Sequence, residues 1–420
     1  MTATPWLVWK SLANRRLSAG LALLSIALAV TLLLGVERLR NDARSGFANT
    51  LSGTDLVVGA RSGPVQLLLY SVFRMGDATN DIRWQSLETI AAQPLVKWVI
   101  PLSLGDSYRG YRVLGTDLRY FEHYRYGDRQ PLAFADGKAF GEVFEAVLGA
   151  EVADALGHRI GDRIALSHGT GRASLNGHAD KPFTVVGILA RTGTPVDRTV
   201  HVRLQAIEAI HLDWTGGAPI PGLGLSAEET RKFDLSPKRV TAALVGLKSR
   251  AGVFRVQRFI NEFRDEPLLA ILPGATLQQL WGLFGIAERA LLAISGLVVA
   301  VGLAGLVAVL VASLGERRRE LAILRSLGAG PRQIFLLLAS ESLVLAIAGS
   351  ALGVAMLYAL VAALGPWLGA RYGLTLGLYG LQPREWLLLA AVLAAALASS
   401  TVPALRAYRM SVADGMTIRI

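Results

Sequence analysis

Four long apolar stretches constrain this chain more than any other feature. Residues 17–36, 290–314, 333–370 and 386–405 carry almost no charge, Glu341 being the lone interruption of the third. A helix rises about 1.5 Å per residue and the hydrocarbon layer is roughly 30 Å thick, so about 20 apolar residues cross it. All four stretches are long enough. With 52% of residues apolar and 18% charged, and a mean hydropathy of +0.42, the chain reads as an α-helical membrane protein with four transmembrane helices. Their expected bounds are 17–36, 290–314, 333–364 and 386–405. The first reads as an uncleaved anchor, because a signal-peptide core spans only about 7–15 residues and this one runs straight into Glu37, Arg38 and Arg40.

The net charge of +11 is a topology signal. Lys10, Arg15, Arg16, Arg317, Arg318, Arg319, Arg325, Arg332, Arg406, Arg409 and Arg419 lie in three short flanks on alternate sides of successive spans, opposed only by Glu316, Glu320 and Asp414. Residues 37–289 are nearly balanced, with 30 cations and 27 anions. Positive flanks stay in the cytosol, so both termini and residues 315–332 are expected inside. Residues 37–289 and the short loop 365–385 are expected outside. This distribution excludes a nucleic-acid footprint. The chain has no cysteine, so the outward domain must fold on its own core without disulfides.

That outward domain reads as α+β and β-rich. Residues 37–46 and 275–289 have the pattern of helical stalks leaving the first span and entering the second. Short β-branched runs at 55–59, 97–100, 111–114, 163–166, 182–186, 199–202 and 240–245 read as strands. Residues 145–157 and 252–264 read as helices, the first stopped by Gly157. The apolar segment 65–75 reads as a core-facing helix, with a lipid- or ligand-touching surface as its alternative. His168 and His178 flank a Gly/Ser/Asn-rich loop. Their irregular spacing and the lack of cysteine make them surface or structural histidines, with no metal expected.

Catalytic patterns are missing. There is no G-x-x-x-x-G-K-[ST], H-E-x-x-H or G-x-S-x-G. Glu341 is the intramembrane ionisable group, and such a residue is functional by default. Here it lies close enough to the cytosolic end of its span to pair with Arg325 or Arg332. Gly296, Ala300, Ala304, Ala308 and Ala312 recur every fourth residue in the second span, and Gly349 and Gly353 do so in the third. Small side chains let helices approach closely in lipid. Between these spans, Glu316, Arg317, Arg318, Arg319, Glu320, Leu321, Ile323, Leu324, Arg325 and Leu327 form an amphipathic helix pattern stopped by Gly328, with Gly330–Pro331 opening the next span. It reads either as an interfacial helix holding lipid headgroups or as a docking element for a cytosolic partner.

The segment GERRRELAILRSLGAGPRQI (315–334) resembles the signature between the second and third spans of the FtsX-like, MacB-type (type VII) ABC permeases. The resemblance extends to Glu341, Gly349 and Gly353, to the tail VPALRAYRMSVAD (402–414) and to WKSLANRR (9–16). VLGAEVADALGHRIGD (147–162) with FTVVG (183–187) is similar to that family's outward core domain.

The resemblance implies a permease subunit that works as a dimer, with an identical copy or a paralogue, on a cytosolic ABC ATPase. It implies no cofactor in this chain, since ATP and magnesium belong to the ATPase, which this chain does not carry fused. Residues Glu316 to Gly328 would dock that ATPase. The family's mechanism, mechanotransmission, moves the outward domain without passing substrate through the spans. Candidate cargo is a lipoprotein, a lipid, a peptide or a small hydrophobic compound. An adaptor or an outer-membrane protein is a further implied partner, and a bacterial inner membrane the implied location. The alternative is an FtsX-like activator of a cell-wall hydrolase. An outward domain of this size favours the transport branch.

Overall fold

The computed structural model describes residues 16–168, 180–215, 218–219, 225–316, 323, 326, 330–372 and 377–409. The chain divides into a helical unit, Met1–Ala43 with Gly285–Ile420, and a mixed unit, Arg44–Phe284.

The mixed unit is built on one large sheet. Its main strands are β1 (Leu56–Ala60), β2 (Val96–Tyr108), β3 (Tyr111–Thr116), β4 (Phe134–Gly137), β5 (Glu145–Leu148), β6 (Phe183–Leu189), β7 (Thr199–Arg203), β8 (Ala242–Leu247) and β9 (Leu268–Ile271). They are arranged β9-β1-β8-β2-β3-β7-β5-β6-β4. The β3–β7 and β5–β6 pairs are parallel, the others antiparallel. Strand β2 is long enough to serve two halves. Its residues 96–102 pair with β8 and its residues 103–108 with β3. The turn into β3 is made by Arg109 and Gly110, both at positive φ (48° and 90°), the conformation that a two-residue hairpin twisting with its strands requires.

Helices cover the sheet where its apolar side chains lie. Within the mixed unit these are α2 (Pro64–Ser71), α3 (Trp84–Ala91), α4 (Ala150–Leu156), α5 (Leu204–His211) and α6 (Val253–Asn261), while α1 (Arg16–Asn49) precedes them. Leu87 and Ile90 of α3 and Val256 and Ile260 of α6 pack on Leu56, Val58 and Val245. Val152 of α4 and Ala206 and Ile210 of α5 pack on Val113, Phe183 and Val200. The segment 65–75 is core-facing: Leu67, Leu68, Tyr70 and Phe73 join the buried cluster around Ile100, Leu114 and Tyr120. Met75 at its end is largely exposed.

One expected helix is split. Residues 145–148 form strand β5 between β6 and β7, and the helix begins only at Ala150. Ala146, Val147 and Leu148 are completely buried, and a short apolar run buried on both faces looks the same in sequence whether it is strand or helix.

The helical unit contains most of α1, then α7 (Pro273–Glu316, which begins in the mixed unit), α8 (Pro331–Tyr372), α9 (Pro383–Ser399) and α10 (Thr401–Arg409). Among the described residues, four helices are long and apolar enough to cross a membrane: Arg16–Gly46, Pro273–Ala312, Arg332–Gly365 and Pro383–Arg406. The first packs against the other three. Its Ala22, Ile26, Val30 and Leu34 share a buried cluster with Leu306 and Leu310 of α7, Leu345 and Leu357 of α8, and Leu389 and Val392 of α9. A Cβ at Gly349 would stand 2.9 Å from Ile26 Cβ, and one at Gly353 would stand 2.7 Å from the Ala27 carbonyl oxygen and 2.9 Å from Val30 Cβ. Only glycine permits that approach. Thr31 Oγ1 completes the contact by donating to the Gly353 carbonyl at 3.0 Å.

Two stability predictions follow from this packing. Gly353→Leu should wedge α1 from α8 and destabilise the bundle by about 1–3 kcal/mol, read as a lower melting temperature of the detergent-purified protein; an unchanged midpoint would contradict the contact. In the mixed unit, the fully buried Lys181 ammonium lies 2.6 and 2.8 Å from the two Asp213 oxygens. Burial alone would raise the Asp213 carboxyl, but hydrogen bonds from Lys181 and from the Leu225 N–H outweigh it and hold it below the usual range. A carboxyl lowered in this way stabilises the fold above its unfolded pKa and stops doing so as the pH falls through its folded value. Asp213→Asn, which leaves Asp180 Oδ2 at 2.9 Å as the remaining carboxylate on the buried ammonium, should therefore cost about 1–3 kcal/mol at neutral pH and lessen the loss of stability below about pH 4. Melting curves at pH 7 and pH 3 check both.

Candidate functional site

The described histidines are used structurally. His123 stacks on Trp98 with ring centroids 5.4 Å apart. His158 lies 2.9 Å from Tyr108 Oη and 3.0 Å from Asp162 Oδ2. His211 Nδ1 donates to the Ile207 carbonyl at 2.6 Å. His201 is completely buried beside Tyr120 and Phe121, with Nδ1 3.3 Å from the Val147 carbonyl. Burial, with the nearby Arg74 charge adding to it, pushes its pKa down to about 3, so the ring is neutral at physiological pH. His178 lies outside the described residues, as does the side chain of His168. Among the described residues, no group of three or more His, Asp or Glu is placed to hold a metal ion. A cavity of about 160 Å³ is lined by Tyr70, Arg74, Asp77, Asp81 and Arg112. Its charges are partly satisfied within the wall, where Arg112 meets Asp77 at 2.8 Å. It holds no nucleophile–base pair.

The segment 315–332 is described only in part. Glu316 is the last residue of α7. Arg317, Arg318, Arg319, Glu320, Leu321, Leu324, Arg325, Leu327 and Gly328 lie outside the described residues, so their helix and its docking face stay a proposal. Ile323 and Ser326 within it are helical and exposed. Gln333 Oε1 accepts the Gly330 N–H at 3.0 Å where α8 begins. Glu341 is buried in the helical unit, at 2% exposure.

The small residues of the second span face away from this bundle. Gly296, Ala300, Ala304, Ala308 and Ala312 are all exposed, while Ser295, Gly302, Leu306 and Leu310 on the same helix are buried. It is Gly302 that meets α1, where an added Cβ would lie 3.5 Å from the Ser25 carbonyl and 3.6 Å from Ala29 Cβ.

A charged cluster at the end of the first span is the feature that sequence reasoning missed. Arg38 is 1% exposed, and its guanidinium stacks over the rings of Tyr358 and Tyr379 at 4.8 and 4.5 Å. Nη2 donates to the Tyr379 carbonyl at 2.8 Å, and Nε lies 3.3 Å from Glu385 Oε1. Around it, Glu37 meets Arg40 at 2.7 Å and Arg384 at 3.1 Å. Asn41 donates to Gln382 at 3.0 Å, and Asp42 accepts from the Gly377 N–H at 3.2 Å and from the Tyr379 hydroxyl. Burial, reinforced by Asp42, pushes the Tyr379 phenol up to about 12, so it stays protonated and donates. Glu385 doubles as the third residue of a capping box with Gln382 at the start of α9. The available signal was spacing: residues 37 and 41, and 38 and 42, are one helical turn apart.

Two family models match the chain. A MacB-like periplasmic core domain covers residues 19–229, and the C-terminal domain of an FtsX-like permease covers residues 292–412. No curated protein matches the chain. Among solved structures, the chain is similar to the periplasmic region of MacB from Actinobacillus actinomycetemcomitans, at 11% identity and a TM-score of 0.33, covering 58% of this chain and 97% of that one. It is also similar to the extracellular domain of the noncanonic ABC-type transporter YknZ from Gram-positive bacteria, at 12% identity and a TM-score of 0.31, covering 52% and 99%. At TM-scores this low the two structures add nothing to what the family models establish.

Proposed function

This chain belongs to the FtsX-like permease family with a MacB-like periplasmic core domain, and from that membership we propose that it turns ATP hydrolysis by a separate cytosolic ATPase into motion of its mixed unit. The family is that of ABC-transporter permeases, which are membrane subunits without catalysis of their own. In the proposed cycle the mixed unit faces the periplasm, both termini face the cytosol, and ATP with magnesium is bound and hydrolysed by the partner. Closure of the ATPase pulls on the segment from Glu316 to Gly328. The pull tilts the spans, and the mixed unit moves to release or export a substrate of the lipoprotein, lipid, peptide or small hydrophobic class.

One observation carries this reading. The two places where the chain passes between the units, at residues 43/44 and 284/285, fall inside the unbroken helices α1 and α7. A helical connection acts as a semi-rigid spacer and transmits displacement, where a flexible loop would absorb it. The exposed small-residue face from Gly296 to Ala308 supports the further reading that a second permease copy packs there, since small side chains favour close helix association in lipid.

Both partners are testable. Burying a leucine stabilises an interface by about 1.5–3 kcal/mol, so Leu324→Asp with Leu327→Asp should lower recovery of the ATPase in affinity purification by about tenfold or more. Undiminished recovery would remove the docking assignment. Because the chain has no cysteine, Ala304→Cys should give an oxidised disulfide dimer in membranes, whereas Leu306→Cys, on the buried face, should not. The reverse result would place the second copy elsewhere.

A further inference from the structure

Arg38 is costly to bury. A guanidinium removed from water must recover its hydration from partners, and even a well-made buried ion pair holds helices together no better than apolar side chains of the same volume. What such a pair supplies is a single register, because only one alignment of the two elements satisfies both charges. Here that alignment is read at several points. Arg38 engages the Tyr379 carbonyl and Glu385, Asn41 engages Gln382, and Asp42 engages Gly377 and Tyr379. Residues 38, 41 and 42 share one face of α1, and their polar partners lie in the connection between α8 and α9 or in the first turn of α9, apart from Tyr358 of α8, whose ring and hydroxyl meet Arg38.

We propose that Arg38 is a positioning residue that locks the end of the first span in a single register with the 377–385 connection. The proposal deepens the force-transfer reading above and rests on it for its functional consequence. The lock makes the end of the span move as one body with α9. Without it, a tilt of the spans would be lost as slippage between α1 and its neighbours before it reached the mixed unit.

The test uses this chain in nanodiscs, with and without the partner ATPase of the proposed function. Spin labels at Leu39→Cys and Leu378→Cys, two exposed positions, read the register directly. The parent should give one narrow distance distribution. Arg38→Met with Glu385→Met keeps the volume and removes the charges, so the chain should still fold and bind the ATPase while the distribution broadens. ATP-driven displacement of the mixed unit, read from a label at Leu118→Cys, should fall about tenfold per ATP hydrolysed, with hydrolysis itself retained. Arg38→Lys keeps the charge and loses the planar stacking on the two rings. It should broaden the distribution too, and it decides the matter if the methionine pair does not fold. A narrow distribution together with unchanged displacement in these variants overturns the proposal. If the unmutated chain shows no ATP-driven displacement at all, the force-transfer reading fails, while the label distances still judge the lock.

Discussion

Of the three helices longer than a bilayer needs, two also carry the chain between its two units. A backbone crossing hydrocarbon must satisfy its own hydrogen bonds, and the helix does so one residue at a time along its axis. At about 1.5 Å per residue, α1 with 34 residues is about 50 Å long, and α7 with 44 residues about 65 Å. Each exceeds the roughly 30 Å of hydrocarbon. The excess has no membrane reason to be helical. It is instead the connection to the mixed unit, and it gives a domain built mostly of strands two stiff attachments. The proposed function follows from that continuity more than from any pocket.

Helices α7, α8 and α9 each pack against α1. Gly349 and Gly353 bring α8 within backbone contact of it, Gly302 brings α7 close, and the Arg38 cluster ties its end to the 377–385 connection. Packing in lipid lacks the hydrophobic drive available in water, so close approach and polar contacts must provide both association and alignment. Glycines give the approach here. The charges give the alignment, placed at the end of the span where their desolvation is least severe. The mixed unit solves a different problem in water, with three apolar clusters covering its sheet and no disulfide.

Much of this architecture was legible in the chain. The four spans stand out because twenty uncharged residues in a row have few other uses, and the expected helix at 275–289 is part of α7 in spite of Gly282 and Gly285. The segments 55–59, 111–114, 182–186 and 199–202 proved to be strands near the expected bounds, 97–100 is the start of the much longer β2, 163–166 keeps only the two-residue strand Arg163–Ile164, and 240–245 became a two-residue strand, Arg239–Val240, followed by β8. Residues 145–148 were misread because Ala146, Val147 and Leu148 are buried on both faces and show no alternation. The small-residue stripe of α7 was visible, but the side of the helix that faces the bundle was not. That side is chosen by Gly302 and Ser295, which break the four-residue spacing. Arg38 was hidden for another reason. Beside Glu37 and Arg40 it reads as the charged end of a span, and its partners Tyr379 and Glu385 are more than 340 residues away. Only tertiary structure brings them together.

The measurement that tests force transfer most directly is a break in one of the two stiff connections. Phe284→Pro removes a backbone donor and clashes with the preceding turn of α7, interrupting the helix where the chain passes between the units. In the complete complex, ATP hydrolysis should continue while ATP-driven movement of the mixed unit, followed by spin-label distances, disappears. Movement that persists undiminished through the broken helix would contradict the account.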